Sequence, residues 1–455
     1  MKLRRILLLM ILFVSIGNTG CHKFLEEKPN SRVTVPESLD DLQALLDRSE
    51  NMNEKNPVYG EASADDYFLT PDNHARLTLL GQEAYIWEAK PYVFVNDWAR
   101  CYNTVNIANI CLDQLLNIER TVQNANAWDN VKGSALFYRA YNFLNLLWMH
   151  ANAYDEVSSK QDMGIVLRLN ANFNERSIRA TVEESYNRVI ADLKLAIDLL
   201  PDHPNHVMRP SKPAAFALLA RTYLSMRKYE NALDYANKSL SIKNSLMNYN
   251  DIDIKLLRPF ESYNPEVIFH SSVSSFFVSN TQTTYANVDT VLYSFYDEGD
   301  LRKKLFFTTS GKYQTFKGNY MNGIFSHWMF TGITTSEMYL IRAECKVRLN
   351  NIPSALDDLN TLLRNRIIAT SFFPIQNLED NDEALQFILK ERRKELVFRG
   401  LRWIDIKRLN KEGAGIKITR HVNGKEFILL PNDKRYALQL PTDIVDITGI
   451  PQNPL

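Results

Sequence analysis

The sequence lacks an excess of charge of either sign. Lysine plus arginine number 53, and aspartate plus glutamate also number 53, among 455 residues. Proteins that bind nucleic acid need concentrated positive charge to meet the phosphates, so no nucleic-acid partner is expected. Glycine and proline are sparse, at 16 and 17 residues, which excludes collagen-like and low-complexity classes. The hydrophobic content of 45% instead predicts a folded globular body.

Cysteine is scarce as well, with four residues in the chain. Apart from Cys21, three remain, and an odd number cannot form a complete disulfide framework. Cys101 and Cys111 lie on one predicted helix, where their spacing corresponds to about 15 Å, too far for a disulfide. We therefore interpret Cys101, Cys111 and Cys345 as free, small residues of the core.

Long hydrophobic runs are missing except near the N-terminus. The run Ile6–Ile16 is too short for a bilayer-spanning helix, which needs about 20 residues. It follows the basic start Lys2–Arg5, so residues 1–20 are predicted to be a signal peptide. Small residues at 17–20 lead to Cys21, a pattern that resembles a bacterial lipobox, and acyl chains on Cys21 would hold the mature protein on a membrane. An ordinary secretory signal with a chance cysteine is the alternative.

Apolar residues recur at helical spacing over much of the chain. This periodicity predicts helices at about 36–47, 92–118 and 129–150. A further helix is predicted from Thr181, a good N-cap residue with Glu184 at the capping-box position. The sequence therefore predicts a mainly helical chain.

The segment 213–240 resembles a tetratricopeptide repeat. Such repeats place small residues where two paired helices cross closely and large residues in the gaps beside them. The spacing from Ala220 to Ala232 recurs at Ala343 and Ala355. These two segments therefore predict two helical hairpins of the same kind.

A third repeat unit is interrupted. Its two helices, around 136–143 and 189–201, are separated by a long intervening stretch. Because the repeats are not contiguous, a plain solenoid does not account for the chain. Two other segments, 51–90 and 244–333, do not follow the helical pattern and are rich in aromatic and polar residues. Within the second of these, the alternating piece Val267–Val273 predicts strands.

The fold class is predicted as mainly α, a tetratricopeptide-like helical scaffold with long loop-rich insertions. Long loops usually carry function or are disordered, and the aromatic content of these insertions indicates order. The predicted ranges are a single domain at 21–455, a scaffold at about 36–50, 91–243 and 334–410, and insertions at about 51–90 and 244–333.

Motifs of catalysis and metal binding are missing from the sequence. It contains no glycine-rich phosphate loop, zincin-type helix motif or nucleophile elbow. His203 and His206 have a spacing possible for metal ligands, but they lie in a proline-rich connection, which we interpret as a solvated loop. Asp65-Asp66 and Asp297-Glu298 are acid pairs of the kind that glycosidases use, and we interpret them as solvated surface acids. No enzyme activity, metal or cofactor is expected.

A basic-looking stretch lies between residues 392 and 408. Glu391, Glu395 and Asp405 are interleaved with its bases, and on helices such acids can lie three or four residues from a base. We therefore predict a solvated, ion-paired face rather than an anion-binding patch. The basic residues are Arg392, Arg393, Lys394, Arg399, Arg402, Lys407 and Arg408.

Four segments resemble the SusD/RagB family of nutrient-binding lipoproteins from Bacteroidetes. The most specific is Glu391–Arg408, which is similar to the helix–glycine–helix signature of the family, with Gly400 able to end its first helix. The start Cys21–Pro29, the first-helix pattern within Trp98–Asn109 and the repeat helix Arg139–Leu147 are also similar. Near the end, two shorter elements resemble the family's late Leu-Pro and closing Gln-Asn, namely Leu438–Pro441 and Gln452–Pro454.

This resemblance implies a SusD-like α/α superhelix with a variable, loop-rich lobe. It also implies a lipid-anchored protein of the outer membrane, with Cys21 as the lipidated residue and the body facing the exterior. Members of the family act with a SusC-like TonB-dependent transporter, as a lid over its barrel, and hold an oligosaccharide or other nutrient. They are typically not catalytic.

The expected binding chemistry follows from the structure of sugars. Their apolar C–H faces match flat aromatic rings, and their hydroxyl groups match side-chain amides and charged groups. Residues of the two insertions are therefore the candidates, with core packing as the alternative for each ring. The predicted ligand-binding residues are Trp87, Tyr296 and Trp328 foremost, with Tyr67, Tyr85, Asp66, Asn73 and Arg76.

Two other functions compete with nutrient capture. A tetratricopeptide scaffold that binds a protein or peptide in its groove would have contiguous repeats and no lipobox. A surface glycoside hydrolase would place a carboxylate pair in a cleft and release products from glycans.

Overall fold

The computed structural model describes residues 36–88, 96–274, 285–322, 328–376, 378 and 380–454. The predicted signal peptide and Cys21 therefore lie outside the described residues. Residues Leu39–Leu455 form one compact unit. Within the described ranges, each helix is too short or too polar to cross a bilayer.

Helices dominate the described part of the chain. We call the two predicted insertions, 51–90 and 244–333, the lobe; the long helices form the scaffold, and most of the short helices lie in the lobe. Their bounds are α1 Leu39–Leu46, α2 Ser49–Met52, α3 Tyr59–Ser63, α4 Pro71–Ala75, α5 Leu79–Tyr85, α6 Asp97–Gln114, α7 Ala125–His150, α8 Val182–Leu199, α9 Lys212–Ser225, α10 Tyr229–Ile242, α11 Thr290–Ser294, α12 Arg302–Phe306, α13 Thr335–Arg348, α14 Ile352–Arg364, α15 Asn381–Glu395, α16 Arg402–Asn410 and α17 Thr442–Thr448.

The strands are short and pair two by two in antiparallel ladders, β1 with β6, β2 with β3, β4 with β10, β5 with β9, β7 with β8 and β11 with β12. Their bounds are β1 Tyr67–Phe68, β2 Met163–Val166, β3 Arg179–Thr181, β4 Val267–Phe269, β5 Ser272–Ser274, β6 Asn287–Val288, β7 Phe307–Ser310, β8 Tyr313–Phe316, β9 Trp328–Phe330, β10 Ile333–Thr334, β11 Ile418–Val422 and β12 Lys425–Leu429.

The start of α8 shows why the local sequence forms a helix there. The Thr181 hydroxyl accepts the N–H of Glu184, and the Glu184 carboxylate accepts the N–H of Thr181 at 2.9 Å. This reciprocal capping box satisfies donors that a helix start leaves without partners. The predicted capping box is confirmed.

The helical hairpins of the scaffold pack through small residues. Ala220, Ala232, Ala343 and Ala355 are all completely buried, and α9 packs against α10 as α13 packs against α14. Alanine at these crossings lets the helix backbones approach closely. Helices α7 and α8 form a further packed pair. The predicted repeat units, including the interrupted one, are therefore confirmed as packed pairs.

The three remaining cysteines are buried and free, as predicted. Cys101 and Cys111 both lie on α6, and Cys345 lies on α13. The helix predicted from 92 begins at Asp97 among the described residues, and positions 92–95 lie outside them.

A second hydrophobic core lies in the lobe and is rich in aromatic residues. Tyr249, Phe260, Phe306, Phe316 and Phe330 are all buried there. Their rings meet at tilted or edge-on angles, for example Phe260 and Phe306 with centroids 5.8 Å apart. Such geometry is favoured by the charge distribution of aromatic rings. The predicted strands at Val267–Val273 are confirmed as β4 and β5 beside this core.

The helix–glycine–helix segment joins α15 to α16. Gly400 has a φ of +76°, a left-handed conformation in which an L side chain is strained. Its N–H donates to the Glu61 carboxylate of α3 at 2.8 Å. The corner is thus attached directly to the lobe.

The basic stretch around this corner is not the solvated face that the sequence predicted. Arg392, Lys394, Lys407 and Arg408 are all buried. Arg408 forms a bidentate pair with Glu344 at 2.6 and 2.8 Å. The pairing with interleaved acids is confirmed, since Lys394 contacts Glu391 and Arg408 contacts Asp405. The solvation is wrong, because further partners from distant segments pack against the stretch, such as Glu344 on Arg408.

Two completely buried arginines extend this charge network. Arg302 contacts Glu391 at 2.6 Å and Glu395 at 3.1 Å. Arg366 contacts Glu395 at 2.8 Å and Glu266 at 2.7 Å. Because Glu391 and Glu395 lie on α15 while Glu266 and Arg302 belong to the lobe segment, these pairs join scaffold to lobe. We call Arg302, Arg366, Glu266, Glu391 and Glu395 the buried charge network.

Replacing one buried arginine leaves its acid partners without full charge compensation. Arg366→Met is expected to lower the free energy of unfolding by roughly 3–5 kcal/mol, since Glu266 and Glu395 would remain buried without it. The exposed Arg364→Met, two positions away, is the matched control and should cost under about 0.5 kcal/mol. Chemical denaturation measures both, and equal stability of the two variants would contradict a structural role for the network.

Candidate functional site

Three predicted ligand rings surround a buried arginine instead of facing a ligand. The Arg420 guanidinium carbon lies 3.9 Å from the ring centre of Tyr85, 5.1 Å from that of Tyr67 and 5.0 Å from that of Trp87. All three rings are under 6% exposed. Their attraction to the cation holds β11 against the lobe. The burial of all three rings favours the core-packing alternative over ligand contact for Tyr67, Tyr85 and Trp87.

Two further predicted residues are also buried. Tyr296 is 1% exposed, and its hydroxyl donates to the carbonyl of Lys394 at 2.8 Å. Asp66 is 1% exposed and accepts the Arg393 Nε–H at 2.8 Å. Both side chains bind the α15 segment to the lobe, so neither is available to a ligand.

The carboxyl groups of Glu61, Asp65 and Asp66 lie near Gly400, at the corner between α15 and α16. Asp65 accepts two hydrogen bonds from Arg402, at 2.6 and 2.9 Å. Burial would raise the pKa of Asp65, but Arg402 and Arg393 hold it below its ordinary value. Burial, followed by repulsion from Asp66, raises the pKa of Glu61 from 4.5 to about 8.

Such a pair of carboxyl groups with opposite pKa shifts can mark an acid–base catalyst. Structural networks shift pKa values in the same way: Asp65 is paired with Arg402, and Glu61 is buried against the Gly400 N–H. Glu61 is 3% exposed and accepts the Gly400 N–H.

Asp297 and Glu298 form the other predicted acid pair, and Glu298 binds Lys303 at the surface. Among the described residues, no group of three or more metal-ligating side chains is arranged to hold an ion.

The remaining predicted residues, Trp328, Asn73 and Arg76, keep part of their surface accessible. Arg76 is exposed, and Trp328 and Asn73 are half-buried. Trp328 lies on β9, where it pairs with Ser274 of β5. Asn73 lies on α4 and donates from Nδ2 to the carbonyl of Tyr285 at 2.9 Å. These residues therefore stay candidates for ligand contact.

The ladder of β1 and β6 brings α4 next to a second group of accessible rings. Phe68 pairs with Asn287, two residues after Tyr285, and β6 packs against β8. The rings of Phe68 and Tyr313 meet edge-on, with centroids 4.9 Å apart. We call Phe68, Asn73, Arg76, Tyr285 and Tyr313 the lobe surface.

Phe68 and Tyr313 were not among the ligand-binding residues predicted from the sequence. The alternation in β1 was the available signal, because neighbouring strand residues face opposite sides and Tyr67 faces the core. The half-buried rings of the lobe surface and Trp328 can meet apolar sugar faces, while the Asn73 amide and the Arg76 guanidinium can meet hydroxyl groups.

Models of known protein families match two parts of the chain. Residues 23–224 match a model described as starch-binding and associating with the outer membrane, of SusD-like type. Residues 294–437 match the model of the SusD family. Together the two matched ranges span about three quarters of the chain. The first description concerns binding.

A curated relative matches a short part of the chain. SusD-like protein P38 from Formosa agariphila is 32% identical over 112 residues, which are 23% of this chain and 22% of the relative. The match therefore spans under a quarter of the relative's length.

Solved structures match over most of the chain. A putative sugar-binding protein from Bacteroides vulgatus has 20% identity and a TM-score of 0.76, covering 93% of this chain and 99% of that protein. A SusD superfamily protein from Bacteroides thetaiotaomicron has 21% identity and a TM-score of 0.75, covering 92% and 100%. A laminarin-binding SusD-like protein has 18% identity and a TM-score of 0.63, covering 91% and 97%. These likenesses establish the mainly helical SusD fold.

Proposed function

This chain belongs to the SusD/RagB family, and on that premise we propose that it is a non-catalytic receptor that binds an oligosaccharide at the cell surface. The observation that carries the proposal is the match of both family models, one of which is described as starch-binding and associating with the outer membrane. A structural neighbour described as laminarin-binding supports a glycan as the ligand class.

The chemistry of the lobe supports this ligand class. Trp328 and the lobe surface combine half-buried rings with an amide and a guanidinium group. Trp328 is held in the β5–β9 ladder and Tyr313 packs against Phe68, so little side-chain freedom is lost when these half-buried rings bind a ligand. We place the glycan site on Trp328 and on the lobe surface.

The surroundings of Asp65 and Asp66 support a non-catalytic function. Asp65 and Asp66 are bound by Arg402 and Arg393, and a glycosidase needs two carboxyl groups that flank the scissile bond. The Asp65 carboxylate is occupied by Arg402, and Asp66 is buried. The rival hydrolase function therefore lacks a free carboxylate pair at these positions.

We further propose that Cys21 carries the lipid anchor and that the receptor delivers its ligand to a SusC-like TonB-dependent transporter. The outer-membrane association in the family description supports this location. Cys21→Ser is expected to move the protein from the membrane to the soluble fraction, since acyl chains supply the membrane affinity. Membrane fractionation measures this shift, and the intact mass of the wild-type mature N-terminus measures the modification; an unmodified Cys21 in the wild type would refute the anchor.

Titration calorimetry with starch- and laminarin-type oligosaccharides tests the glycan site. Trp328→Ala and Tyr313→Ala are each expected to weaken binding by roughly 1–2 kcal/mol, about 5–30-fold in Kd, because a stacking ring is lost. Phe373→Ala removes an 81% exposed ring outside the lobe surface and serves as the matched control. If both site variants bind with the wild-type Kd, the site assignment is refuted, and if no glycan binds the wild type, the function itself is refuted.

A further inference from the structure

A cavity of about 330 Å³ lies in the scaffold, away from the residues that define the lobe surface. Its walls come from α6, from the segment 166–177 and from the C-terminal residues 444–450. Trp98 and Tyr102 of α6 form one side, with ring centroids 4.8 Å apart. Phe173, 87% exposed, also lines it. The volume is at the lower end of the range for small-molecule sites, about 300–1,000 Å³.

A buried network fixes the polar wall of this cavity. Arg139 donates to both carboxylate oxygens of Asp192, at 2.7 and 2.8 Å. Its Nη1 also donates to the Asn109 side-chain oxygen at 3.0 Å. From there, Asn109 Nδ2 donates to the carbonyls of Arg168 and Asn170, at 2.9 and 3.0 Å. The segment 166–177 is therefore held in place by groups buried in the helical scaffold.

The C-terminal wall is also fixed by hydrogen bonds. Arg179 Nη1 donates to the carbonyl of Pro451 at 3.0 Å and to Asn453 Oδ1 at 2.9 Å. The Gln452 side chain accepts the Leu440 N–H at 2.8 Å and donates to the Leu440 carbonyl at 2.9 Å. A site whose walls are preformed binds without the cost of ordering them.

The lining of the cavity is almost free of charge. It contains no aspartate, glutamate or lysine among the described residues, and its one arginine is Arg168. Arg168 Nη1 donates to the carbonyl of Glu175 at 2.6 Å, and Nη2 donates to Ser177 Oγ at 2.7 Å. The Glu175 carboxylate lies 3.9 Å from Arg168 Nη1 and balances its charge, so the lining offers a charged ligand little net counter-charge. The chemistry of the lining selects a neutral ligand.

Amides supply the polar groups at the cavity. Asn106, Asn170 and Asn172 line it, and Asn106 is exposed on α6, where no hydrogen bond joins its side chain to another described residue. Rings and aliphatic side chains can cover the apolar face of a ligand while amides meet its hydroxyl groups. Asn170 Nδ2 already donates to the Glu175 carboxylate at 3.3 Å, and Asn172 Oδ1 accepts the Asn174 N–H at 3.1 Å. A purely apolar ligand would therefore leave the Asn106 amide without a partner.

We propose that this cavity is a second carbohydrate site, which takes one or two neutral sugar rings. The ligand class rests on the proposed glycan-binding function, whereas the site itself rests on the geometry of α6, the segment 166–177 and the C-terminal wall. The two sites differ in position, so short glycans can occupy both at once. A receptor with two such sites gains affinity for a glycan long enough to span them.

Two pairs of variants on α6 test the second site. Ala99→Trp fills the cavity, because Ala99 lines it. Asn103→Trp adds the same ring at an exposed position of the same helix outside the lining. Asn106→Ala removes a lining amide with little risk to folding, and Asn103→Ala is its matched control.

The full-length chain in detergent is titrated with maltose, cellobiose and laminaribiose. We expect two binding sites in the wild type, one in Ala99→Trp and two in Asn103→Trp. Asn106→Ala should raise the Kd of the second site at least about five-fold by loss of a hydrogen bond, with no change in Asn103→Ala. Tyr313→Ala should leave the second site occupied.

Wild-type stoichiometry and Kd in both Ala99→Trp and Asn106→Ala would overturn the second site, while the glycan site on the lobe would stand. Binding of longer glycans without any disaccharide binding would also overturn it and leave the proposed function intact. Failure of all glycans to bind the wild type would refute both proposals.

Discussion

The rest of the structure depends on the buried charge network between α15 and the lobe. Arg302 and Arg366 are completely buried. Arg302 pairs with Asp300 as well as with Glu391 and Glu395. Arg366 pairs with Glu266 and Glu395. Uncompensated charges at these positions would be strongly destabilising. The acids of α15 and the charged residues of the lobe must therefore pair before α15 and the lobe can pack together. The glycine corner adds a second attachment through Glu61. The irregular lobe is thereby fixed on a helical frame.

This constraint explains how a chain with many charged and aromatic residues in its lobe remains chemically passive. Asp65 and Asp66, which resemble a hydrolytic pair in the sequence, are bound by Arg402 and Arg393 of the helix–glycine–helix segment. Rings that resemble a sugar platform surround Arg420 instead. What remains accessible is a smaller set of half-buried rings and amides. Binding without bond cleavage is the chemistry that these groups support.

The sequence predicted well what depends on near neighbours along the chain. The capping box of α8 needs only Thr181 and Glu184, three residues apart, and the helical hairpins need only the spacing of alanines such as Ala220 and Ala232. The family resemblance also rested on contiguous motifs. These features can be read locally because helix caps and helix crossings are set within a few turns.

The exposure of individual side chains could not be predicted in the same way. Arg420 donates to the carbonyl of Tyr85 across 335 positions in the sequence, so nothing near Tyr67, Tyr85 or Trp87 indicated a cation among them. Likewise, Arg393 meets Asp66 across 327 positions, and a basic stretch that reads as solvated is covered. The cavity beside Trp98 was missed because its walls come from three distant segments.

We propose that this receptor binds its glycan and leaves it uncleaved. The most direct test incubates the full-length chain with an equimolar amount of the oligosaccharide it binds most tightly, over a day, and then measures the mass of the recovered glycan. We expect the oligosaccharide to be recovered intact from the complex. Shorter fragments that accumulate with time, and do not appear with heat-denatured protein, would contradict it.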